Sequence, residues 1–421
     1  MKFQCLRGTK DLLYDDLYYW YIIENKSKKI FNNFNYQEIK TPIFENKALF
    51  EKGVGQFTDI VSKEMYVFQD KKNRELTLRP EGTASIVRAF IEHKLYSHNK
   101  LQKFWYLGPM FRYERPQSGR QRQFHQLGLE CIGSNDPFID AEIISIAYNF
   151  LADLALDNYY LEINSIGENN DRLKYQEYLV KYLSKYKDEL DVDSKNKLEN
   201  NPIKILDSKN TTIQKLLENA PKLSDFINLD SAKHFQQVCE YLEELNIPYR
   251  INTKLVRGLD YYNNTAFEIK TNNLNAQDTI CGGGRYNNLV MQLGGPSTPA
   301  IGWAMGIERL LLLLQEQITY RKTQIDFYVL TTDKFSHGYA LNIANKLRHY
   351  GYRVEIDVNY INVSKKLKKA TLLNATSAIL IGETEVKEKS ITIKWLNRHI
   401  QEKIGVHELD TVITKMYKSN L

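Results

Sequence analysis

Residues 110–131, MFRYERPQSGRQRQFHQLGLEC, constrain this chain more than any other stretch, because they read as two strand-like runs joined by a basic loop that contains a glycine. Successive side chains in a strand point to opposite faces. Arg112 and Glu114 therefore share a side on the first run, as do Phe124, Gln126, Gly128 and Glu130 on the second. Phe111 and Tyr113, then His125, Leu127, Leu129 and Cys131, face the other way, so this antiparallel pair is expected to carry a site on one face and core on the other. A sheet with one solvated face would alternate in the same way. The loop tilts the balance: Arg115, Arg120 and Arg122 offer planar donor forks that match phosphate, and Gly119 allows an anionic ligand to approach closely.

Other ways of holding phosphate are missing. No GxxxxGKS or GxxxxGKT and no strand-linked GxGxxG occurs, so neither a P-loop nor a Rossmann turn is expected and side chains must do the work. The four cysteines, Cys5, Cys131, Cys239 and Cys281, are far apart with no CxxC or Cys/His spacing, which argues against a disulfide framework and against a zinc site. No apolar run approaches bilayer length, and the start MKFQCLRGTKDLLYDD lacks the apolar stretch of a signal peptide, so no membrane association and a cytoplasmic location are expected.

Along the chain, residues 14–34 read as a first helix with Leu17, Trp20, Tyr21, Ile30 and Phe31 as its apolar positions and Asp11 near its start. A strand to Pro42 and strand-like runs at 64–68, 75–79 and 104–107 join the 110–131 pair in a largely antiparallel sheet. Val87, Ile91 and Leu95 mark a helix over 84–95 packed on it. Residues 169–225 turn rich in Lys, Asn, Glu and Tyr with helical spacing and read as a helical insertion. After the polar stretch 315–324 the pattern becomes β-α-β-α-β: apolar 325–330, helical 340–350, strand-like 352–356, a Lys-rich helix and apolar 378–382, a small α/β domain with a parallel sheet. Residues 325–421 hold 15 Lys+Arg against 10 Asp+Glu, and this +5 is nearly all of the chain's +6. Lys365, Lys366, Lys368 and Lys369, with Arg348 and Arg353, suit a phosphate-facing surface, although a solvated helix face would look the same.

These residues carry a resemblance. FRYE at 111–114, then the loop with Arg120 and Phe124, is similar to motif 2 of the class II aminoacyl-tRNA synthetases; residues 34–45 with Pro42 resemble motif 1, and GWAMGIERL at 302–310 resembles motif 3. LVRGLDYY at 255–262 and GGGRYNNL at 282–289 resemble the two signature peptides of the histidyl-tRNA synthetase family, and two such peptides in order are a specific signal. The fold implied is an α+β class II catalytic core, an antiparallel sheet flanked by helices, in two parts (1–168 and 226–320) around the insertion 169–225, followed by a C-terminal α/β anticodon-binding domain at 325–421.

The resemblance also implies chemistry. L-histidine and ATP, with Mg²⁺, would give histidyl-adenylate, and the histidyl group would pass to the 3′ end of tRNA(His); motif 1 implies a homodimer. Arg112 would hold the α-phosphate and the histidine carboxylate, Glu114 the adenine amino group, Phe124 the base, and Arg120 and Arg309 the terminal phosphates. Arg309, beside the apolar run 310–314, could equally be a snorkelling helix residue. Arg257 would act with Arg112 as a catalytic residue, supplying a fixed cation where charge builds at phosphorus. Glu81, Gly82, Thr83 and Gln126 would form the α-amino end of the histidine pocket, Glu130 and Tyr262 would engage the ring nitrogens, and Tyr261 and Tyr286 would wall it. Arg115 and Gln117 would meet the tRNA. A different outcome is a catalytically inactive, histidine-sensing paralogue such as the regulatory subunit of ATP phosphoribosyltransferase; the intact Arg257 peptide and the C-terminal domain oppose it.

Overall fold

The first helix, α1 (Tyr14–Asn33), buries Tyr19, Ile23, Ser27 and Phe31, a stripe with a spacing of four. Tyr21 lies off that stripe and is exposed, contrary to expectation. Asp11 does not cap the helix either: its carboxylate accepts from Cys5 Sγ, and Asp15 and Asp16 in the first turn favour the N-terminus instead. β1 (Gln37–Glu38) is followed by β2 (Phe44–Asn46) and by α2 (Lys47–Val54), which Asn46 caps by accepting from the Ala48 amide at 2.9 Å. β4 (Glu75–Leu78) pairs with both β2 and β3 (Val67–Gln69) in a separate three-stranded sheet, not in the main one, and a π-helical turn at Ile60–Glu64 takes up the start of the expected strand. α3 (Thr83–Glu92) begins where the Glu81 carboxylate accepts from the Thr83 and Ala84 amides, 2.8 Å each.

The main sheet is built from β5 (Gln102–Phe111) and β6 (Gln123–Ile132); then, after α4 (Pro137–Asp153), β7 (Tyr159–Ser165). The insertion holds α5 (Asn169–Leu183), α6 (Val192–Asn200) and α7 (Thr211–Glu218). α8 (Leu229–Glu244) leads back to β8 (Tyr249–Ile251), β9 (Asn263–Thr271), β10 (Thr279–Arg285), α9 (Leu289–Gln292), β11 (Ala300–Gly306) and α10 (Ile307–Gln317). The eight strands run β1-β5-β6-β11-β10-β9-β7-β8, antiparallel except for the parallel edge pairs β1/β5 and β7/β8. One face packs Trp105, Leu127, Leu129, Cys131 and Trp303 against α1, α4 and α10. The other is not purely a site: Phe104, Tyr106 and Met110 join a second core with Ile86, Val87 and Phe90 of α3 and with Tyr175, Leu179 and Leu183 of the insertion. Tyr113 is exposed rather than core, because β5 ends at Phe111 and the alternation ends with it. Its ring lies 3.8 Å from the Arg122 guanidinium carbon, which ties up one of the three forks expected to face phosphate.

The described residues are 2–56, 58–97, 100–208, 210–274, 278–320, 324–357, 359, 362–398, 400–409 and 411 of this computed structural model. Within the polar stretch 315–324, residues 321–323 lie outside them, as do 412–421 of the expected C-terminal domain. Met1–Tyr320 and Arg321–Leu421 are the two compact units. In the second, β12 (Ile325–Thr331), α11 (His337–His349), β13 (Val354–Asp357), α12 (Val363–Leu372) and β14 (Ala375–Ile381) give the parallel order β13-β12-β14. After α13 (Glu383–Glu388), an antiparallel hairpin of β15 (Ser390–Trp395) and β16 (Ile400–Gly405) extends it, which the sequence reading lacked. The lysine cluster divides: Lys366 is buried and donates to the Thr331 carbonyl at 2.7 Å, and Lys369 pairs with Asp357 at 3.5 Å, so neither is a simple surface cation.

Candidate active site

The floor of the site follows from strand register. Gly128 on β6 stands opposite Tyr106 on β5 and Ala304 on β11; Ala304 stands opposite Gly282 on β10, and Gly282 opposite Glu268 on β9. Small residues in the middle of this row leave room for long polar side chains to lie across the sheet. A Cβ on Gly282 would collide with the Arg257 guanidinium and one on Gly302 with the Glu130 carboxylate, so glycine is needed at both for these groups to lie flat. Gly82 and Gly128 likewise make way for the Tyr106 ring.

The cavity above this floor has a volume of about 180 Å³. Glu81, Thr83, Arg112, Glu114, Arg120, Phe124, Gln126, Arg257, Tyr261, Tyr262 and Arg309 all line it, so residues spread from 81 to 309 converge on one space. Arg112 is aimed by donating from Nε to the Pro80 carbonyl at 2.9 Å, and its guanidinium carbon sits 5.1 Å from the Phe124 ring centre. Glu114 pairs with Arg120 at 3.2 Å. Arg309 donates to the Thr279 carbonyl and lines the same cavity, which excludes the snorkelling reading. Burial, and then the neighbouring Arg120, pull its pKa below the ordinary arginine value.

Behind that wall lies a polar layer. Glu130 is buried, accepting from Thr83 Oγ1 at 2.7 Å and from the Tyr286 hydroxyl at 2.5 Å. Its burial pushes the carboxyl up to about 8, against the pull of these two hydrogen bonds. Glu81 is raised too, by burial, against the opposing pull of the two amides that it accepts from. Tyr286 packs edge-on against Tyr261, ring centres 5.6 Å apart, and holds Glu130 from outside the cavity lining. Glu130 and Gly82 also stand outside the lining. Gln126 Oε1 is buried with no partner among the described residues.

Four contributors escaped the sequence reading. Glu268 pairs with Arg257 on one carboxylate oxygen and on the other accepts from Thr279 Oγ1 at 3.2 Å, with Lys270 3.4 Å away. Glu308 lines the cavity while holding the His125 amide and Nδ1, the latter at 2.9 Å. Tyr106 and Thr279 complete the set. Glu268 and Lys270 were visible as charges two apart in the apolar run AFEIK; the others carried no local signal. Arg115 and Gln117 are exposed on the 112–122 loop, away from the cavity lining. Among the described residues, no group of three or more His, Cys, Asp or Glu could hold a metal ion, and the three cavity carboxylates Glu81, Glu114 and Glu308 are engaged as above.

The profile of the family described as Histidyl-tRNA synthetase matches residues 8–310, and that of an Anticodon binding domain matches 326–416. A chloroplastic histidine–tRNA ligase of Pyropia yezoensis is 54% identical over 420 residues, covering 100% of this chain and 98% of that protein. The solved apo histidyl-tRNA synthetase of S. aureus is 37% identical with a TM-score of 0.80, covering 97% of this chain and 98% of its own. An ATP phosphoribosyltransferase regulatory subunit/histidyl-tRNA synthetase from Bacillus halodurans is similar at 20% identity and a TM-score of 0.66, covering 91% of this chain and 99% of its own, a likeness of fold alone. From the two signature peptides through the convergence of Arg112, Arg120, Arg257 and Arg309 on one cavity to the full-length match with these relatives, the chain belongs to the histidyl-tRNA synthetase family.

Proposed function

We propose that the chain is a histidine–tRNA ligase that forms histidyl-adenylate from L-histidine and ATP and transfers the histidyl group to the 3′ end of tRNA(His). The observation that carries this is the meeting of Arg112, Arg120, Arg257 and Arg309 on one cavity whose wall also holds Glu81, Thr83, Tyr261 and Tyr262. Like charges so grouped oppose one another until a polyanion joins them, and the polar inner wall offers partners to an ammonium and an imidazole. Histidine would enter with its amino group toward Glu81, Thr83 and Gln126 and its ring toward Glu130 and Tyr262, with Tyr261 alongside and Tyr286 steadying Glu130. A ring N–H facing Glu130 stabilises the ionised carboxylate, so binding would lower a pKa that burial had raised.

Arg112 would bring the histidine carboxylate and the α-phosphate together, with Phe124 under the adenine and Glu114 at its amino group. The carboxylate oxygen bonds to phosphorus as the bond to the β-phosphate oxygen breaks. Arg257 stabilises the added negative charge, and Arg120 and Arg309 retain the pyrophosphate. Mg²⁺ would arrive with ATP on its phosphates. The test is pyrophosphate exchange with each amino acid in turn. Exchange with histidine alone is expected; none with any amino acid would overturn the reading and favour a sensor.

In this reading 1–168 and 226–320 form the class II catalytic core, 169–225 its helical insertion and 325–421 the domain that binds the anticodon. Ile43, Phe44, Val67 and Phe68, exposed on and beside the small sheet, support a homodimer built through this side. The four cysteines are free, which fits the reducing cytoplasm, and no helix among the described residues is long and apolar enough to cross a membrane. Arg115 and Gln117 stand clear of the cavity and would read the acceptor end. Replacing both by alanine is expected to lower kcat/KM for tRNA by roughly 10–100-fold, at about 1–3 kcal/mol for a good base contact, and to leave pyrophosphate exchange nearly unchanged. Equal losses in charging and exchange would instead make the loop part of the ATP site.

A further inference from the structure

The peptide that carries Arg257 belongs to no strand or helix; it spans the gap between β8 and β9. What fixes it is therefore side-chain and loop contacts. At its start, the Leu255 carbonyl accepts from Asn164 Nδ2 at 2.9 Å. At its far end, the Asp260 amide donates to the Val54 carbonyl at 3.1 Å, and the Asp260 carboxylate packs so tightly on Gly55 that a Cβ there would collide with it. The other side of that carboxylate faces the insertion: Oδ1 accepts from Asn201 Nδ2 at 3.1 Å. Lys204 and Arg172, also of the insertion, together with Asn201 oppose the rise in its pKa that burial causes.

Two more observations make this contact more than a local brace. A second cavity of about 180 Å³ opens on the insertion side of the peptide, lined by Arg172, Asn201, Lys204 and Asp260, and Arg257 and Leu259 line both it and the active-site cavity. Arg257 thus stands in the wall between them. The insertion also has no separate core: Tyr175, Leu179, Leu198 and Ile205 belong to the same buried cluster as Tyr261, Tyr262 and Tyr286. A shift of the insertion must therefore be felt by the peptide, since packed cores transmit displacement.

We propose that Asp260 is a positioning residue that ties the Arg257 peptide to the helical insertion through Asn201, so that the placement of the insertion sets the aim of the Arg257 guanidinium. Asp260 and Asn201 touch no substrate in this arrangement; they act through Arg257. This rests on the adenylate-forming role given to Arg257. The consequence is that a macromolecule bound by the insertion can change the rate of activation without reaching the cavity.

The test uses the full chain with Asn201→Ala, Asp260→Asn and the double variant. Asn201→Ala is expected to lower kcat for histidine-dependent pyrophosphate exchange by about 10–100-fold, the cost of a small misplacement of a reacting group, while KM for histidine stays within about twofold. Asp260→Asn keeps an acceptor for Asn201 and should lose less, and the double variant should lose less than the two singles multiplied. Amide hydrogen exchange of residues 255–262 should quicken in Asn201→Ala while that of β5 and β6 is unchanged. This readout needs no activity, so it tests the tie even if wild-type exchange with histidine is absent and the functional reading itself fails. Unchanged kcat with unchanged protection of 255–262 would overturn the proposal, as would a loss shared equally by KM and by the protection of the whole sheet.

Discussion

Arg257→Ala is expected to slow histidyl-adenylate formation by about 10²–10³-fold, the usual effect of removing one fixed donor that faces developing charge. The physical reason is local. Two anions, the histidine carboxylate and the α-phosphate, must approach while charge accumulates on phosphorus, and Arg257 lines that cavity with its guanidinium held by Glu268. The group is set before the substrates arrive, so little reorganisation is needed during the reaction. The loss should fall on kcat for pyrophosphate exchange, with tRNA affinity close to wild type, because an interaction stronger in the transition state than in the ground state lowers the barrier without tightening binding. Arg257→Lys should restore little. A point ammonium cannot hold Glu268 and phosphate at once as the separate arms of a planar fork can, and the glycine floor at 282 is shaped for a flat group. Exchange rates for Arg257→Ala within a few-fold of wild type would remove Arg257 from the mechanism.

What the sequence made legible and what it hid divide along one line, local against long-range. Phe124 and Gln126 could be read because period 2 puts them on one face of β6, and Arg112 and Glu114, just past the end of β5, because charges beside an otherwise apolar pair call for a ligand. Arg120 could be read from the loop. Glu268, Thr279 and Glu308 could not be assigned, because only the pairing of β9 with β10 and the turn from β11 into α10 bring Thr279 and Glu308 to the cavity and Glu268 beneath Thr279 and Arg257. Tyr106 reads as an ordinary core aromatic until Gly82 and Gly128 are seen to make room for it. Misreadings have the same origin. Tyr113 was assigned to the core by extending β5 two residues too far, and Lys366 to the surface because a lysine inside a basic run gives no sign that its amine reaches a buried carbonyl. The β15/β16 hairpin was missed since its outer strand, IQEKIG, is mostly exposed and has no clean apolar alternation.

Asp140→Ala is expected to destabilise the first unit by about 3–5 kcal/mol, the cost of leaving a buried charge without its partner. Asp140 and Arg285 are both fully buried, paired at 2.5 Å, with a second contact from Arg285 Nε at 3.0 Å. Thr265 Oγ1 donates to the same carboxylate at 2.6 Å, and His234 Nε2 lies 2.9 Å from it, so α4, α8, β9 and β10 meet at one acid. Arg285 also donates to the Ser134 and Asp136 carbonyls at the start of α4, and it immediately precedes Tyr286, whose hydroxyl holds Glu130. The buried pair therefore fixes the end of β10 from which Tyr286 holds Glu130. A double-mutant cycle with Arg285→Ala separates the two contributions: removing both charges should cost less than the sum of the single losses, because neither is then left buried alone. Urea denaturation of the full chain followed by tryptophan fluorescence reads this directly, as Trp105 and Trp303 are buried in the adjoining core. Additive losses, or an Asp140→Ala loss below about 1 kcal/mol, would show that the pair is screened by water and does not hold the pocket.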